Sequence, residues 1–577
     1  MSPTEPPAPT HADGVPNDAQ RDALPQLPPD LTAGPPVPLV DVLAAALSAR
    51  GVRVAFGQPG ADVMPLIDAL ERHGLRFIWC RQGVSAGVMA DAAYQITGAP
   101  GLCLAARGPG ALSLVSGVAA ATLERSRVVA ITGAAAADGP TSVCRQVIDQ
   151  VALFAAVTPR SVALTEESGF LQVLTALAAL DRQRPGPVHF DLPSDVANRP
   201  QPTGLGAWMR TRTRRPPALD DAACARARRT LDAARCPVVL VGCGAIDPAV
   251  RELAAFGVTA WAEAAQAPVL TTFRAKGVLS EDHPLSAGAF GLSPLVDAMQ
   301  QQLIAEADVI LAVGLDPVEL GADWLPGWPA RTPVISLDPW GQDALPGAVQ
   351  HLNGPIDALL DAMHPSRRAA WPRGHVQAHR ARLDATVDDA DDGPASAVRA
   401  IQAACPEDVL VAVDAGVHPI AWSHAWQCSE PGTLLQNNGM GASGTALPMA
   451  ISMKIHAPDR PVLAVLAEGG LMVCASELSL AVELQLNLLV VVFVDRRPSS
   501  LGVAHARSQA ADGRASAPAR AQAHTAHLVT LIEAMGGSGR LVRGASSVEA
   551  AVRAAFAQGG VQLVAVELAA ADSSASS

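Results

Sequence analysis

Short, largely apolar runs separated by alanine-rich amphipathic stretches recur along this chain, and that alternation restricts its fold more than any other feature. Runs of this kind suit strands buried on both faces of a parallel sheet, with the intervening stretches as crossover helices. Val52 to Phe56, Leu102 to Ala106, Val128 to Thr132 and Val188 to Leu192 make a first set. Val238 to Val241, Val269 to Thr272, Val309 to Val313 and Val334 to Leu337 make a second. Val409 to Val413, Val462 to Leu466, Leu488 to Val494 and Val561 to Glu567 make a third. The predicted class is α/β, with three doubly wound parallel-sheet domains over 38–200, 215–363 and 395–570. The proline-rich stretch from Pro200 to Pro217 and the polar stretch 364–394 read as linkers. Residues 1–37 read as a disordered leader, and Asp572 to Ser577 as a loose tail.

Composition narrows the function. Of 577 residues, 49% are hydrophobic and 17% charged, which excludes disorder as the dominant state. The formal charge is −13, the only lysines are Lys276 and Lys454, and no basic run is present to follow a phosphate backbone. Nucleic acid is therefore excluded as a partner. The longest apolar stretches, such as Leu488 to Val494, fall far short of the roughly 20 residues a bilayer requires, so no membrane span is expected. Nine cysteines, an odd number without a CxxC pair, argue against zinc and against a disulfide scaffold, and suit a reducing cytoplasm.

Gly57-Gln58-Pro59-Gly60 places a glycine-rich turn between a strand and a helix. It is followed by Met89-Ala90-Asp91 with Thr97-Gly98, by Gly108-Pro109-Gly110-Ala111, by the run into Thr132-Gly133, and by Asp191-Leu192-Pro193. Further on stand Thr272-Phe273-Arg274-Ala275-Lys276-Gly277 and His283-Pro284, then Asp414-Ala415-Gly416, Gly444-Thr445-Ala446-Leu447-Pro448 and Glu477-Leu478. In this order the chain resembles the thiamine-diphosphate enzymes related to acetolactate synthase, over roughly Pro38 to Leu568. The resemblance implies a pyrimidine-binding, a central and a diphosphate-binding domain. It further implies thiamine diphosphate and Mg²⁺ as cofactors, a 2-oxo acid as substrate, and a homodimer or homotetramer. FAD in the central domain is implied by the resemblance alone.

The family's chemistry rests on a few positions, and several are altered here. The Glu that activates the aminopyrimidine follows Arg-His in the family, whereas this chain reads Arg81-Gln82-Gly83, so Gly83 stands in its place. The family's metal motif, Gly-Asp-Gly followed by Asn-Asn, corresponds to Ala467-Glu468-Gly469 and, 27 residues beyond Glu468, to Val494-Asp495. By resemblance Glu468, Asp495 and the Arg497 carbonyl hold Mg²⁺, with Gly416, His418, Gly469 and Gly470 against the diphosphate. Two carboxylates in place of one add repulsion against an anionic diphosphate, which Arg496 and Arg497 or the metal must relieve. Ser443 stands where the family places a bulky Met beneath the cofactor, and Gln146 matches the family's substrate-orienting Gln.

Other features read as structure. Gly242-Cys243-Gly244 lacks the third glycine and acidic partner of a dinucleotide fingerprint and reads as a turn. Cys474 reads as packing, and His505, His524 and His527 as solvated side chains. Two functional readings follow: a decarboxylase or carboligase slowed by Gly83, and a catalytically silent relative acting as a binding or regulatory subunit. A third has the same cleft repurposed for another ligand. In the first two the implied assembly is an oligomer, so light scattering from the purified protein should give a multiple of the 59.2 kDa chain mass, and a monomer mass contradicts it.

Overall fold

The computed structural model of the chain describes residues 35–136, 145–182, 184–201, 219–321, 324, 332–341, 345, 348–387, 393–416, 419–494 and 527–568. Within them lie three six-stranded sheets, each parallel throughout. The first runs from Val54–Gln58 to Val188–Pro193, the second from Pro237–Val241 to Ala348–Asn353, and the third from Leu410–Val413 to Val561–Glu567. Counted along the chain, the first and third sheets share the strand order 2-1-3-4-6-5, and the second is ordered 3-2-1-4-5-6. The central strands are buried on both faces, as Val238, Val239, Leu240 and Val241 illustrate, which is why they read as continuous apolar runs. The predicted architecture is the one found. The stretch 364–394 carries a helix, His375–Val387, whose Val376, His379 and Leu383 are buried.

The first and third sheets share a single core. The helix Gly83–Thr97 lies between the helix Pro109–Leu123 of its own domain and the helix Ala446–His456 of the third. Phe56, Met89 and Ala90 from one side join Leu447, Met449 and Ala464 from the other in one apolar cluster. Within it Ser452 Oγ donates to the Met89 carbonyl at 2.7 Å, satisfying a hydroxyl that burial would otherwise penalise. Among the described residues no helix is long and apolar enough to cross a membrane.

Buried ion pairs close the remaining seams. Asp316 of the central domain receives Arg125 at 2.8 Å, and Arg184 as well, both from the first domain. Lys276 Nζ sits 2.7 Å from Glu281 and donates to the Ser423 carbonyl of the third domain at 2.7 Å, while the Cys428 N–H donates to Glu281 at 2.7 Å. Each such charge is expensive to bury alone, so removing one partner destabilises more than the pair itself contributes.

Three histidines are buried in their neutral form. His189 is bonded by Thr132 Oγ1 at 2.7 Å and Ser161 Oγ at 2.8 Å and stacks on Phe154. Burial lowers its pKa from 6.5 to about 3. Burial also lowers His424 to about 3, with Lys276 and Arg380 adding to the effect, and lowers His379 to about 4. The unfolded chain takes up these protons near pH 6.5 and the native one only far below it, so their contribution to stability is intact above 6.5 and declines as the pH falls. Urea unfolding from pH 7.5 down to 5 should show a loss approaching about 1.4 kcal/mol per pH unit for each histidine below 6.5.

Candidate functional site

In the third sheet the strand order reverses between Leu410–Val413, Leu434–Gln436 on one side and Val462–Ala467 on the other. A reversal of this kind opens a crevice at the carboxyl ends of the strands, the usual ligand position of an open α/β sheet. Asp414, the residue after the first of these strands, is fully buried and organises the crevice. Its carboxylate accepts from the Gly444 and Thr445 N–H groups at 2.8 Å each, from the Ala446 N–H at 3.3 Å and from Thr445 Oγ1 at 3.1 Å. Burial raises its pKa while these donors oppose the rise. The net effect is to fix the start of the helix Ala446–His456.

Glycines keep the crevice open. A Cβ at Gly416, Gly441 or Gly469 would meet nothing within 4 Å, and these three follow successive strands of the sheet. Gly416 and Gly441 have φ of 81° and 62°, a conformation that favours glycine. Gly470, by contrast, is packed directly against the Asp414 carboxylate, where a side chain would collide. Ser443 is exposed between Gly441 and Gly444, and Glu468 opens the helix Glu468–Cys474 beside the exposed Gly469. The structure thus gathers Gly416, Ser443, Glu468, Gly469 and Gly470 around one cleft. His418, Asp495 and Arg497 lie outside the described residues, as do Arg496, His505 and His524. Among the described residues no three His, Cys, Asp or Glu side chains gather as a metal site. The open space beside Gly416, Gly441 and Gly469 leaves room for an extended diphosphate.

The pyrimidine side is different. Gly83 begins its helix and its N–H donates to Ser113 Oγ at 3.1 Å. A Cβ there would stand 2.7 Å from Ser113 Oγ and 2.8 Å from Ser113 Cβ. One turn on, a Cβ at Gly87 would come within 2.8 Å of the Gly117 backbone. Small residues at 83, 87, 113 and 117 let the two helices touch backbone to backbone. Gly83 therefore packs as part of this crossing, and a Cβ there would require Ser113 to shift. The carboxylate nearest this helix start comes from the third domain. Glu477, fully buried, accepts from the Arg81 N–H at 3.1 Å and the Gln82 N–H at 3.0 Å. Burial raises its pKa, and the Ser85 hydroxyl and these two amides oppose the rise.

Gln146 is exposed at φ 64°, a left-handed conformation uncommon outside glycine, with its backbone against Gly108. The buried amide in this region is Gln150, four residues on. Its Oε1 accepts from the Gly108 N–H at 2.8 Å and its Nε2 donates to Thr132 Oγ1 at 3.1 Å, to the Gly133 carbonyl at 2.9 Å and to Asp191 at 2.5 Å. Sequence reading missed Gln150, although its place at the start of the helix Gln150–Ala155 offered a signal. Gly242-Cys243-Gly244 enters a 3-10 turn over Cys243–Ala245, and its Cys243 N–H donates to the Glu319 carboxylate at 2.8 Å, in keeping with the turn reading. Cys474 is buried and burial raises its thiol pKa, in keeping with packing.

Comparison with known proteins adds the family. Residues 38–153 match the N-terminal TPP binding domain of thiamine pyrophosphate enzymes, 224–344 their central domain and 414–566 their C-terminal TPP binding domain. The probable 2-ketoarginine decarboxylase of Pseudomonas aeruginosa is 32% identical over 473 residues, covering 78% of this chain and 80% of that one. The chain belongs to the thiamine pyrophosphate enzyme family. This family member is also 29% identical to the acetolactate synthase isozyme 2 large subunit of Escherichia coli, over 78% of this chain and 82% of that one. It is 28% identical to the catabolic acetolactate synthase of Raoultella terrigena, over 91% and 94%.

For this member of the thiamine pyrophosphate enzyme family the contact at Gly83 yields a direct test. Gly83→Ala should lower stability by about 1–3 kcal/mol through overpacking, and adding Ser113→Gly should recover part of the loss. Denaturant midpoints of the two variants check this, and an unchanged midpoint for Gly83→Ala contradicts it.

Proposed function

We propose that this chain is a thiamine-diphosphate-dependent enzyme that decarboxylates a 2-oxo acid and joins the resulting fragment to a second carbonyl compound, as acetolactate synthases do. The observation that carries the reading is the Asp414 cradle, in which one buried carboxylate fixes the 444–446 backbone while Gly416, Gly441 and Gly469 leave the space beside it free. Thiamine diphosphate held there would supply a nucleophilic carbon and, in its cationic ring, an electron sink for loss of CO₂ from a 2-oxo acid. Gly416, Gly469 and Gly470 border the diphosphate, with His418 as a donor. Glu468, Asp495 and the Arg497 carbonyl hold Mg²⁺, and Gln146 orients the substrate. The protein is an oligomer of a cytoplasmic type.

Position 83 sets the pace. Without a carboxyl group there, the proton at the pyrimidine is handed to water, and loss of a general acid–base group typically removes about 10² to 10⁴ in rate. The crowding of Gly83 against Ser113 supports a second reading, a silent relative that binds cofactor or partner without turnover, because a side chain there would require Ser113 to shift. A third, the repurposed cleft, has no observation in its favour.

Calorimetric titration of the cofactor-stripped protein with thiamine diphosphate, with and without Mg²⁺, comes first. Micromolar, Mg²⁺-dependent binding is expected. Release of CO₂ should then be measured from pyruvate, glyoxylate and 2-ketoarginine, the last because the Pseudomonas relative is named for it. Slow turnover of any of them supports the enzyme. Binding without turnover selects the silent relative, and no binding at millimolar cofactor removes both thiamine-based readings.

A further inference from the structure

The loop 437–444 carries Ser443 and Gly441 along the cleft, and it is held at both ends. Its far end is caught by Asp414 within the third domain, as described above. Its near end is caught from outside that domain. Glu124, which follows the helix Pro109–Leu123 of the first domain, is 1% exposed, and its Oε1 accepts from the Gly439 N–H at 2.6 Å. The other oxygen lies 3.0 Å from Nε of Arg274, itself buried and placed just after the central-domain strand Val269–Thr272. Asp91, fully buried on the helix Gly83–Thr97, is a further acid acting on this arginine. Gly439 is pressed so closely on the first domain that a Cβ would stand 2.5 Å from Leu123 Cβ.

We propose that Glu124 is a positioning residue of the cofactor cleft: its carboxylate, oriented by Arg274, fixes the Gly439 amide and with it the loop that carries Ser443. The inference rests on the cofactor reading above. It makes one carboxylate the meeting point of three domains, because the acid is supplied by the first, its counter-charge by the central and the amide it holds by the third. The Arg274 side chain lies 3.0 Å from one oxygen of Glu124 as its ion-pair partner, while the other is turned to Gly439. Gly439 is half-buried, and without its acceptor its N–H gains by turning to water, so the loop is held less tightly when the acceptor is removed.

Two variants separate positioning from mere domain adhesion. Glu124→Gln keeps an oxygen for the Gly439 N–H but leaves Arg274 with only the more weakly acting acids Glu319 and Asp91, so its denaturation midpoint should fall while thiamine diphosphate affinity stays within about twofold, a rescue by the conservative side chain. Glu124→Met leaves Arg274 in the same charge surroundings as Glu124→Gln, because Glu319 and Asp91 remain in both, but takes the acceptor from Gly439. It should share the lowered midpoint of Glu124→Gln, yet lose about tenfold in thiamine diphosphate affinity and exchange its 437–443 amides faster in the cofactor-free protein. If affinity simply follows stability in both variants, or if amide exchange of the loop is the same in both as in the parent, the proposal is overturned. If the parent protein binds no thiamine diphosphate, the cofactor reading fails by itself, and amide exchange in the cofactor-free proteins alone decides whether Glu124 positions the loop.

Discussion

The helix Gly83–Thr97 is buried on almost every side, and the arrangement of the first and third domains depends on it. A helix in that situation has no polar face to spare and must meet each neighbour with side chains sized for the gap. Against the helix Pro109–Leu123 the gap is closed to backbone contact by Gly83, Gly87, Ser113 and Gly117. Against the helix Ala446–His456 it is filled by apolar side chains, with one hydroxyl bonded to a carbonyl. Close packing of this kind admits an added group only if a neighbour shifts, so the identity of residue 83 is decided by the crossing as much as by chemistry.

Carboxylates appear where that helix layer ends. Glu477, Glu124 and Asp414 are all buried, and each accepts backbone N–H groups at the start of a loop or helix. Each is the acceptor that a segment's own sequence does not provide. Burial alone would favour the neutral acids, and the donors around them act in the opposite direction. The result is a set of fixed points in the first and third domains, between which glycine-rich loops span the cleft without needing side chains of their own to hold their shape.

How much of this is legible in the sequence differs between strands and site. The two inner pairs of strands in each sheet appear as apolar runs, because burial on both faces demands it. Each sheet's two edge strands are missing from the sequence reading: Arg76–Trp79, Arg160–Ala163, Ser286–Phe290, Ala348–Asn353, Leu434–Gln436 and Ser538–Arg543. Several of these are short or mix polar with apolar residues, and their pairing is decided by the neighbouring strand rather than by their own composition. Of the positions taken from motifs, Gly416, Ser443, Gly469 and Gly470 fall after the strands Leu410–Val413, Leu434–Gln436 and Val462–Ala467 of the third sheet. Glu124 carries no local pattern and Glu477 is noticed only as part of the Glu477-Leu478 motif, without a role, since each acts on an amide more than 300 residues away.

The shared core also has a consequence for the order in which the chain is made. Met89 leaves the ribosome 363 residues before the serine that bonds its carbonyl. At about 5–20 residues per second, on the order of tens of seconds separate the two events. Throughout that interval the nascent first domain presents the face of an apolar helix whose cover has not yet been synthesised. A chain built this way places its greatest exposure to aggregation early in translation, and its need for chaperone protection ends only when the helix Ala446–His456 arrives.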